Sequence, residues 1–221
     1  MGKVAVHGHR GARARRPENT LAAFEYAIDA GVDAIEMDVV VTSDGVPVVA
    51  HDPLPGWSFA DLRRKAPHVP TLDEVLALAP RGGFLFNIEI KPFADAERVA
   101  AMAVSPAHAL AGRVMFQSFD FAVLHALRGI APEFPLGALF EDTAEDFVSI
   151  AGRAQASFVA PEFHLVTPEK VRAAHQAGLT VITWTPNRQA QWKALMEAGA
   201  DGLITDDPAA LIAYLENYNC S

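Results

Sequence analysis

The segment VAVHGHRGARARRPENTLAAFEYAIDAGVDAIEMDVVV, residues 4–41, decides how the rest of the chain is read. It opens on a short β-rich run, Val4–His7. Asn19-Thr20 then introduces an amphipathic stretch, Leu21–Ala30, which stops at Gly31. A capping side chain in front and a glycine behind are the two ends of a helix. Ala34–Val41 follows as a second β-rich run. Strand, helix and strand in this order make one parallel crossover unit.

Outward from this unit the alternation repeats. Ser43-Asp44-Gly45 is a turn, and Val46–Ala50 is a short strand returning from it. Further strands are expected at Phe84–Ile90, Val114–Gln117, Leu136–Leu139, Phe158–Ala160, Thr180–Trp184 and Gly202–Ile204. Helical patterns lie between them, near Thr71–Leu78, Ala96–Ala103, Phe121–Ile130, Ala144–Ala151, Pro168–Ala177, Gln189–Ala198 and Pro208–Tyr218. Thr167-Pro168 and Asp207-Pro208 each read as an N-cap followed by proline at the first helical position. With Val46–Ala50 counted into the second unit's loop, the units number about eight, which predicts an α/β fold of the closed (β/α)₈ TIM-barrel type. A doubly wound open sheet is the alternative, but no G-x-G-x-x-G follows the first strand. One domain over residues 1–221 is expected, with 52–70 as a small insertion or lid after the second strand.

Bulk properties narrow the partners. A chain of 221 residues with 51% hydrophobic and 20% charged residues is an ordinary globular composition with one sizeable core. A net charge of −9 argues against nucleic acid, which needs a Lys/Arg footprint. It leaves room for a small anionic substrate, because a metal or arginine can reverse the field inside a cleft. The single cysteine, Cys220, excludes an internal disulfide and gives no support to a thiolate metal site. The run Met1–His7 has no long apolar core, and no stretch approaches membrane-spanning length. A cytoplasmic enzyme with no membrane span is the expectation; composition is silent on oligomeric state.

The chemistry gathers at the ends of the early strands, where parallel barrels carry their sites. The first ends in His7-Gly8-His9-Arg10-Gly11, the second contains Glu36-Met37-Asp38, the returning run ends in His51-Asp52, and the third ends in Glu89-Ile90-Lys91. Side chains two apart on a strand share a face. Glu36 and Asp38 therefore point one way, and so do Glu89 and Lys91. If both faces look into the mouth, three carboxylates converge beside one ammonium. Three buried carboxylates would repel one another and protonate unless a cation joined them. An all-oxygen ligand set suits Mg²⁺ or Ca²⁺, with Mn²⁺ also accommodated, rather than Zn²⁺. His9 and His51 are the natural proton carriers, since imidazole titrates near neutrality. His7 is left open between a supporting and a core role.

In this order the motifs resemble the glycerophosphodiester phosphodiesterase family. The matching segments are His9–Ala12, Pro17–Thr20, Glu36–Val39, Thr42–Gly45, His51-Asp52 and Asn87–Lys91. Weaker matches continue at Gln117–Phe119, Thr183–Asn187 and Gly199–Pro208. The resemblance implies a TIM barrel that uses one divalent cation to hydrolyse glycerophosphodiesters to glycerol 3-phosphate and an alcohol. It implies metal binding by Glu36, Asp38 and Glu89 and acid/base roles for His9 and His51. By the same resemblance, Arg10 and Lys91 contact the substrate phosphate, Trp184 lines the pocket, and Asn19 steadies the first loop. The chain departs from the family in lacking an Arg-Thr-Thr run after His51-Asp52, so head-group preference is not carried over. His7 also stands where an apolar residue is usual.

Three other readings compete. A lysophospholipase D-like enzyme would use the same site, with Trp57 and Phe59 against an acyl chain. A zinc amidohydrolase would explain His7-Gly8-His9, but would also need histidines ending the fifth and sixth strands. Leu136–Leu139 has none, and His164 lies beyond Phe158–Ala160. The third is a phosphoester-binding module without turnover.

Overall fold

The computed structural model describes residues 4–54, 56–92 and 95–219. Cys220 and the start of the Met1–His7 run, on which the thiol and leader expectations rest, lie outside the described residues.

The elements run β1 (Ala5–Gly8), α1 (Leu21–Ala30), β2 (Ala34–Val41), β3 (Pro47–Val49), α2 (Phe59–Lys65), α3 (Leu72–Leu76), β4 (Leu85–Ile90) and α4 (Ala96–Ala107). They continue with β5 (Val114–Ser118), α5 (Phe121–Ile130), β6 (Leu136–Phe140), α6 (Phe147–Ala154), β7 (Phe158–Pro161), α7 (Pro168–Gln176), β8 (Thr180–Trp184), α8 (Gln189–Ala198), β9 (Gly202–Thr205) and α9 (Pro208–Asn219). The sheet order is β1-β9-β8-β7-β6-β5-β4-β2-β3, and a parallel β1–β2 pairing closes it. Eight parallel strands thus form the expected barrel, and closure excludes the open sheet.

The remaining strand, β3, is antiparallel to β2 and outside the cylinder. β1 meets β2 only at Ala34 and Ile35. The remainder of that β2 edge is free, and β3 takes it with Val39↔Val49, Val40↔Val48 and Val41↔Pro47 in register. The expected return strand Val46–Ala50 is therefore present, shortened to Pro47–Val49.

Alternation along the strands builds two cores. Ile35, Met37, Val39, Phe86 and Ile88 belong to the large cluster under the helices. Inside the barrel, Met115, Leu139, Phe158, Ala160, Ile182 and Ile204 form a second, smaller cluster capped by Trp184. Gly137 makes this interior packing possible, since a Cβ there would meet the Phe158 ring at 2.1 Å. The opposite half of the interior is polar: His7, Glu36, Asp38, Asn87, Glu89 and Gln117 are all buried. One barrel lumen thus has an ionic wall on β1, β2 and β4, and an apolar wall on β6–β9.

α4 runs on to Ala107, past the expected Ala103, and two further differences from the sequence reading have local reasons. The helix expected at Ala144–Ala151 begins at Phe147, because Asp146 caps it by accepting from Ser149 N. The expected insertion, 52–70, to which the sequence assigned no helix, contains α2, set by a reciprocal Ser58/Asp61 capping box. Leu62, Trp57 and Phe59 pack against Val40 and Val48 of the β2–β3 ribbon. Lys65 and Arg63 lie over the two aromatic rings at 4.5 and 4.8 Å. Among the described residues, no helix is long and apolar enough to cross a membrane.

Candidate active site

The loop after β1 is shaped by glycines that cannot be replaced. A Cβ on Gly8 would sit 2.2 Å from Gly11 O, and one on Gly11 would sit 2.6 Å from the backbone of Ala23. Gly11 has φ +85° and Arg10 has φ 49°, a left-handed pair that turns the chain tightly. The turn aims Arg10 N at Glu36 Oε2, to which it donates at 2.9 Å. Asn19, also left-handed at φ 56°, donates from Nδ2 to Asp38 Oδ2 at 2.8 Å. The steadying expected of Asn19 is thus realised through Asp38.

Register brings the acids together. Asp38 of β2 lies opposite Glu89 of β4, and Glu36 opposite Asn87. Glu36, Asp38 and Glu89 each offer an oxygen, all within 4.8 Å of one another, and all three are buried. Burial, then the charges of Asp38 and Glu89, pushes the Glu36 carboxyl well above its usual range. Burial and Asp38 push Glu89 up to about 7. Burial also acts to raise Asp38, but Lys91 and Arg10 outweigh it and hold Asp38 below its usual value. Lys91 Nζ lies 2.7 Å from Asp38 Oδ1 and 2.5 Å from Glu89 Oε1. Arg10 Nε stands 3.0 Å from Asp38 Oδ2, an ion pair without hydrogen-bond alignment. This all-oxygen cluster, short of positive charge, fits a hard divalent cation.

The two histidines reach the same cavity by different routes. His9 follows β1, and its Nδ1 lies 2.5 Å from Asp206 Oδ1, beyond the end of β9. Asn187 donates from Nδ2 to Asp206 Oδ2 at 2.8 Å, while its Oδ1 accepts from Asp206 N and Thr205 Oγ1. Burial would raise Asp206, but the hydrogen bond and charge of His9, with Arg13 and Asn187, hold it below its usual range. With Nδ1 occupied, Nε2 is the His9 nitrogen left for a ligand. His51 follows β3, is more exposed at 42% of its side chain, and has Nδ1 3.0 Å from Asp52 Oδ1.

A cavity of about 350 Å³ occupies the mouth of the barrel. His9, Arg10, Glu36, His51, Glu89 and Lys91 line its ionic side. Gln117, level with Glu89, lies on that side too, and Phe119, Leu139, Glu141, Trp184 and Ile204 line the other. Asp38 lies beneath, as the partner of Lys91 and Arg10. Trp184 is fixed by its indole N–H donating to Ala160 O at 2.8 Å, and stands edge-to-face with Phe119 at 5.5 Å between centroids. Gln117 is 1% exposed, and its Oε1 accepts nothing from the protein.

His9, His51, Glu36, Glu89, Arg10, Lys91 and Trp184 thus border this cavity, and Asp38 supports Lys91 and Arg10. His7 does neither. It lies inside the barrel against Asn87, 3.4 Å from Nδ2, where burial, partly offset by Asp33, lowers it to about 4. Asp206, Asn187, Gln117, Phe119 and Glu141 were given no role by the sequence reading. The first four fall in segments that carried the weaker resemblance; Glu141 has no local signal. His164 pairs with Glu162 and does not line the cavity, so the amidohydrolase reading lacks its further histidine.

Comparison with known proteins agrees with the geometry. The sequence profile of the Glycerophosphoryl diester phosphodiesterase family matches residues 9–54 and 54–210. A glycerophosphodiester phosphodiesterase of Caldanaerobacter subterraneus subsp. tengcongensis is 30% identical over 236 residues, covering 95% of this chain and 97% of that protein. The crystal structure of a candidate glycerophosphoryl diester phosphodiesterase from Silicibacter pomeroyi superposes with a TM-score of 0.89 at 30% identity, covering 97% of this chain and 94% of the other. A phosphodiesterase of Oleispira antarctica, solved in complex with the product sn-glycerol-3-phosphate, shares the fold with a TM-score of 0.87 at 22% identity, covering 96% of each chain.

Proposed function

Since the chain belongs to the glycerophosphoryl diester phosphodiesterase family and is a glycerophosphodiester phosphodiesterase, we propose that it works as one barrel domain, 1–221, in which Glu36, Asp38 and Glu89 hold a divalent cation and His9 and His51 move the protons. The products are sn-glycerol 3-phosphate and the head-group alcohol; the product complex of the Oleispira antarctica relative supports the phosphoglycerol half of this assignment. The observation that carries the reading is convergence: two imidazoles and the carboxylates of Glu36 and Glu89, with Asp38 beside them, come from four strands to a single cavity.

When bound, Mg²⁺ or Ca²⁺ would draw charge from a phosphate oxygen as a Lewis acid. The remaining work falls to the chain. Arg10 and Lys91 bring two positive charges to the phosphate and donate charge-assisted hydrogen bonds that strengthen as its oxygens gain charge. One imidazole takes the proton of the nucleophile, which is water or the substrate's own glycerol 2-hydroxyl. The P–O bond to the alcohol breaks, and the other imidazole protonates the departing oxygen. Asp206 holds His9 so that Nε2 faces the reaction. Gln117 Oε1, buried and unpartnered, suits a glycerol hydroxyl, and Trp184 closes the organic side.

The test is release of glycerol 3-phosphate from a panel of glycerophosphodiesters, with and without a chelator. His9→Ala and His51→Ala should each lose about 10²–10⁴-fold in turnover. Full activity in the double variant, or undiminished activity after chelation, would end this assignment. The lysophospholipase D-like alternative gains nothing from Trp57 and Phe59, which pack against the β2–β3 ribbon.

A further inference from the structure

The cavity has two unlike walls, and a diester brings two unlike organic groups to it. Resting on the reading above, the phosphate belongs beside Arg10, Lys91 and the acids. Glycerol carries two free hydroxyls, which need hydrogen-bond partners; Gln117, level with Glu89 across β4 and β5, offers one on that same side. What remains for the alcohol is the largely apolar wall of Phe119, Leu139, Trp184 and Ile204, with Thr185 and one carboxylate beside them.

That carboxylate is Glu141. It follows β6 two residues after Leu139, so both point into the mouth, and it stands one position past the Phe140↔Pro161 pair. The neighbouring bridge, Glu162↔Trp184, puts Trp184 at the same level of the barrel. The other charged side chains lining the cavity have partners. His9 has Asp206, Arg10 and Arg13 have Glu18, and His51 has Asp52. Glu36 accepts from Arg10 N, and Glu89 pairs with Lys91. Glu141 has no hydrogen bond or ion pair among the described residues and is exposed to the cavity. Beside it, 38% of Phe119 is exposed, held edge-to-face against Trp184.

An aromatic pair facing the cavity, Phe119 exposed and Trp184 half-buried, and an unpaired carboxylate on one wall suit a cation that has no hydrogen-bond donors to satisfy. A quaternary ammonium attracts aromatic faces and a carboxylate, and loses nothing against apolar side chains. We propose that Phe119, Trp184 and Glu141 form a head-group subsite that selects trimethylammonium alcohols, so that glycerophosphocholine is preferred over diesters with neutral or anionic head groups. Arg13, the cation that would favour an anionic head group, is engaged by Glu18 at 3.1 Å and lies 3.8 Å from Asp206.

The test separates the subsite from the hydrolase reading. Binding of choline to the full chain is followed by ligand-observed NMR, against its uncharged isostere 3,3-dimethylbutan-1-ol. Choline should bind more tightly, and Glu141→Gln or Phe119→Ala should each remove about 3–30-fold of that advantage. In turnover, the ratio of kcat/KM for glycerophosphocholine to that for glycerophosphoglycerol should fall by a similar factor in Glu141→Gln. Equal binding of choline and its isostere, or a ratio that the variants leave unmoved, overturns the subsite. Choline discrimination in a chain that hydrolyses no glycerophosphodiester would support the subsite and sink the hydrolase instead.

Discussion

The imidazole of His9 is held by a carboxylate 197 positions further along the chain. Asp206 is itself held by Asn187, so two side chains, from beyond β8 and β9, fix one ring. Asp206→Ala should lower kcat by about 10²-fold, with KM and the thermal midpoint little changed; steady-state kinetics beside a melting curve checks this. His7 gives a pH prediction. Its value falls from 6.5 in the unfolded chain to about 4 in the barrel. Between those values the unfolded chain binds the extra proton, so stability is complete above pH 6.5 and drains away as pH falls towards 4. Urea unfolding at pH 7 and at pH 4.5 should differ by about 2–3 kcal/mol more in this chain than in His7→Leu. At this scale the sequence is legible where chemistry is local. Glu36, Asp38, Glu89 and Lys91 are found by two-residue spacing alone, because a strand places such pairs on one face. Asp206, Gln117 and Glu141 depend on which strand lies beside which, and no spacing encodes that.

At the scale of elements, the turn after β1 is the least forgiving. Gly11→Ala would combine a left-handed φ with a backbone contact of 2.6 Å. It should cost at least about 2 kcal/mol, seen as a fall of about 5–10 °C in the thermal midpoint. A milder case is the cap of α2. Ser58→Ala should remove about 1 kcal/mol, concentrated in faster hydrogen exchange over Phe59–Lys65, because α2 docks on the ribbon through Leu62. Strands and long helices were readable from periodicity and from Pro and Gly punctuation. α2 was not: its seven residues are too few for a clear period, and its evidence was the Ser58/Asp61 box alone. The start of α6 was misplaced because Ala144 favours a helix by composition, while Asp146 decides the matter by capping.

At the scale of the molecule, the barrel collects mutually repelling acids in one wall and so stores a demand for positive charge. Addition of Mg²⁺ or Ca²⁺ at about a hundred times its dissociation constant should raise the thermal midpoint by about 5–10 °C. Glu36→Ala should abolish the rise, as differential scanning calorimetry would show. The closed architecture was legible from the number of βα units, and the division of its lumen was not, since that requires knowing which strand faces which across the axis. The outlying strand has an effect on how this active site can vary. Because β3 lies on the edge of β2 that β1 leaves uncovered, the reach of His51 is set by the length of a hairpin and not by the shear of the cylinder. Adding two residues to β3 alone would slide that imidazole by about 7 Å along its ladder while every cylinder strand kept its register, so one of the two imidazoles proposed to move protons is mounted on an adjustable arm.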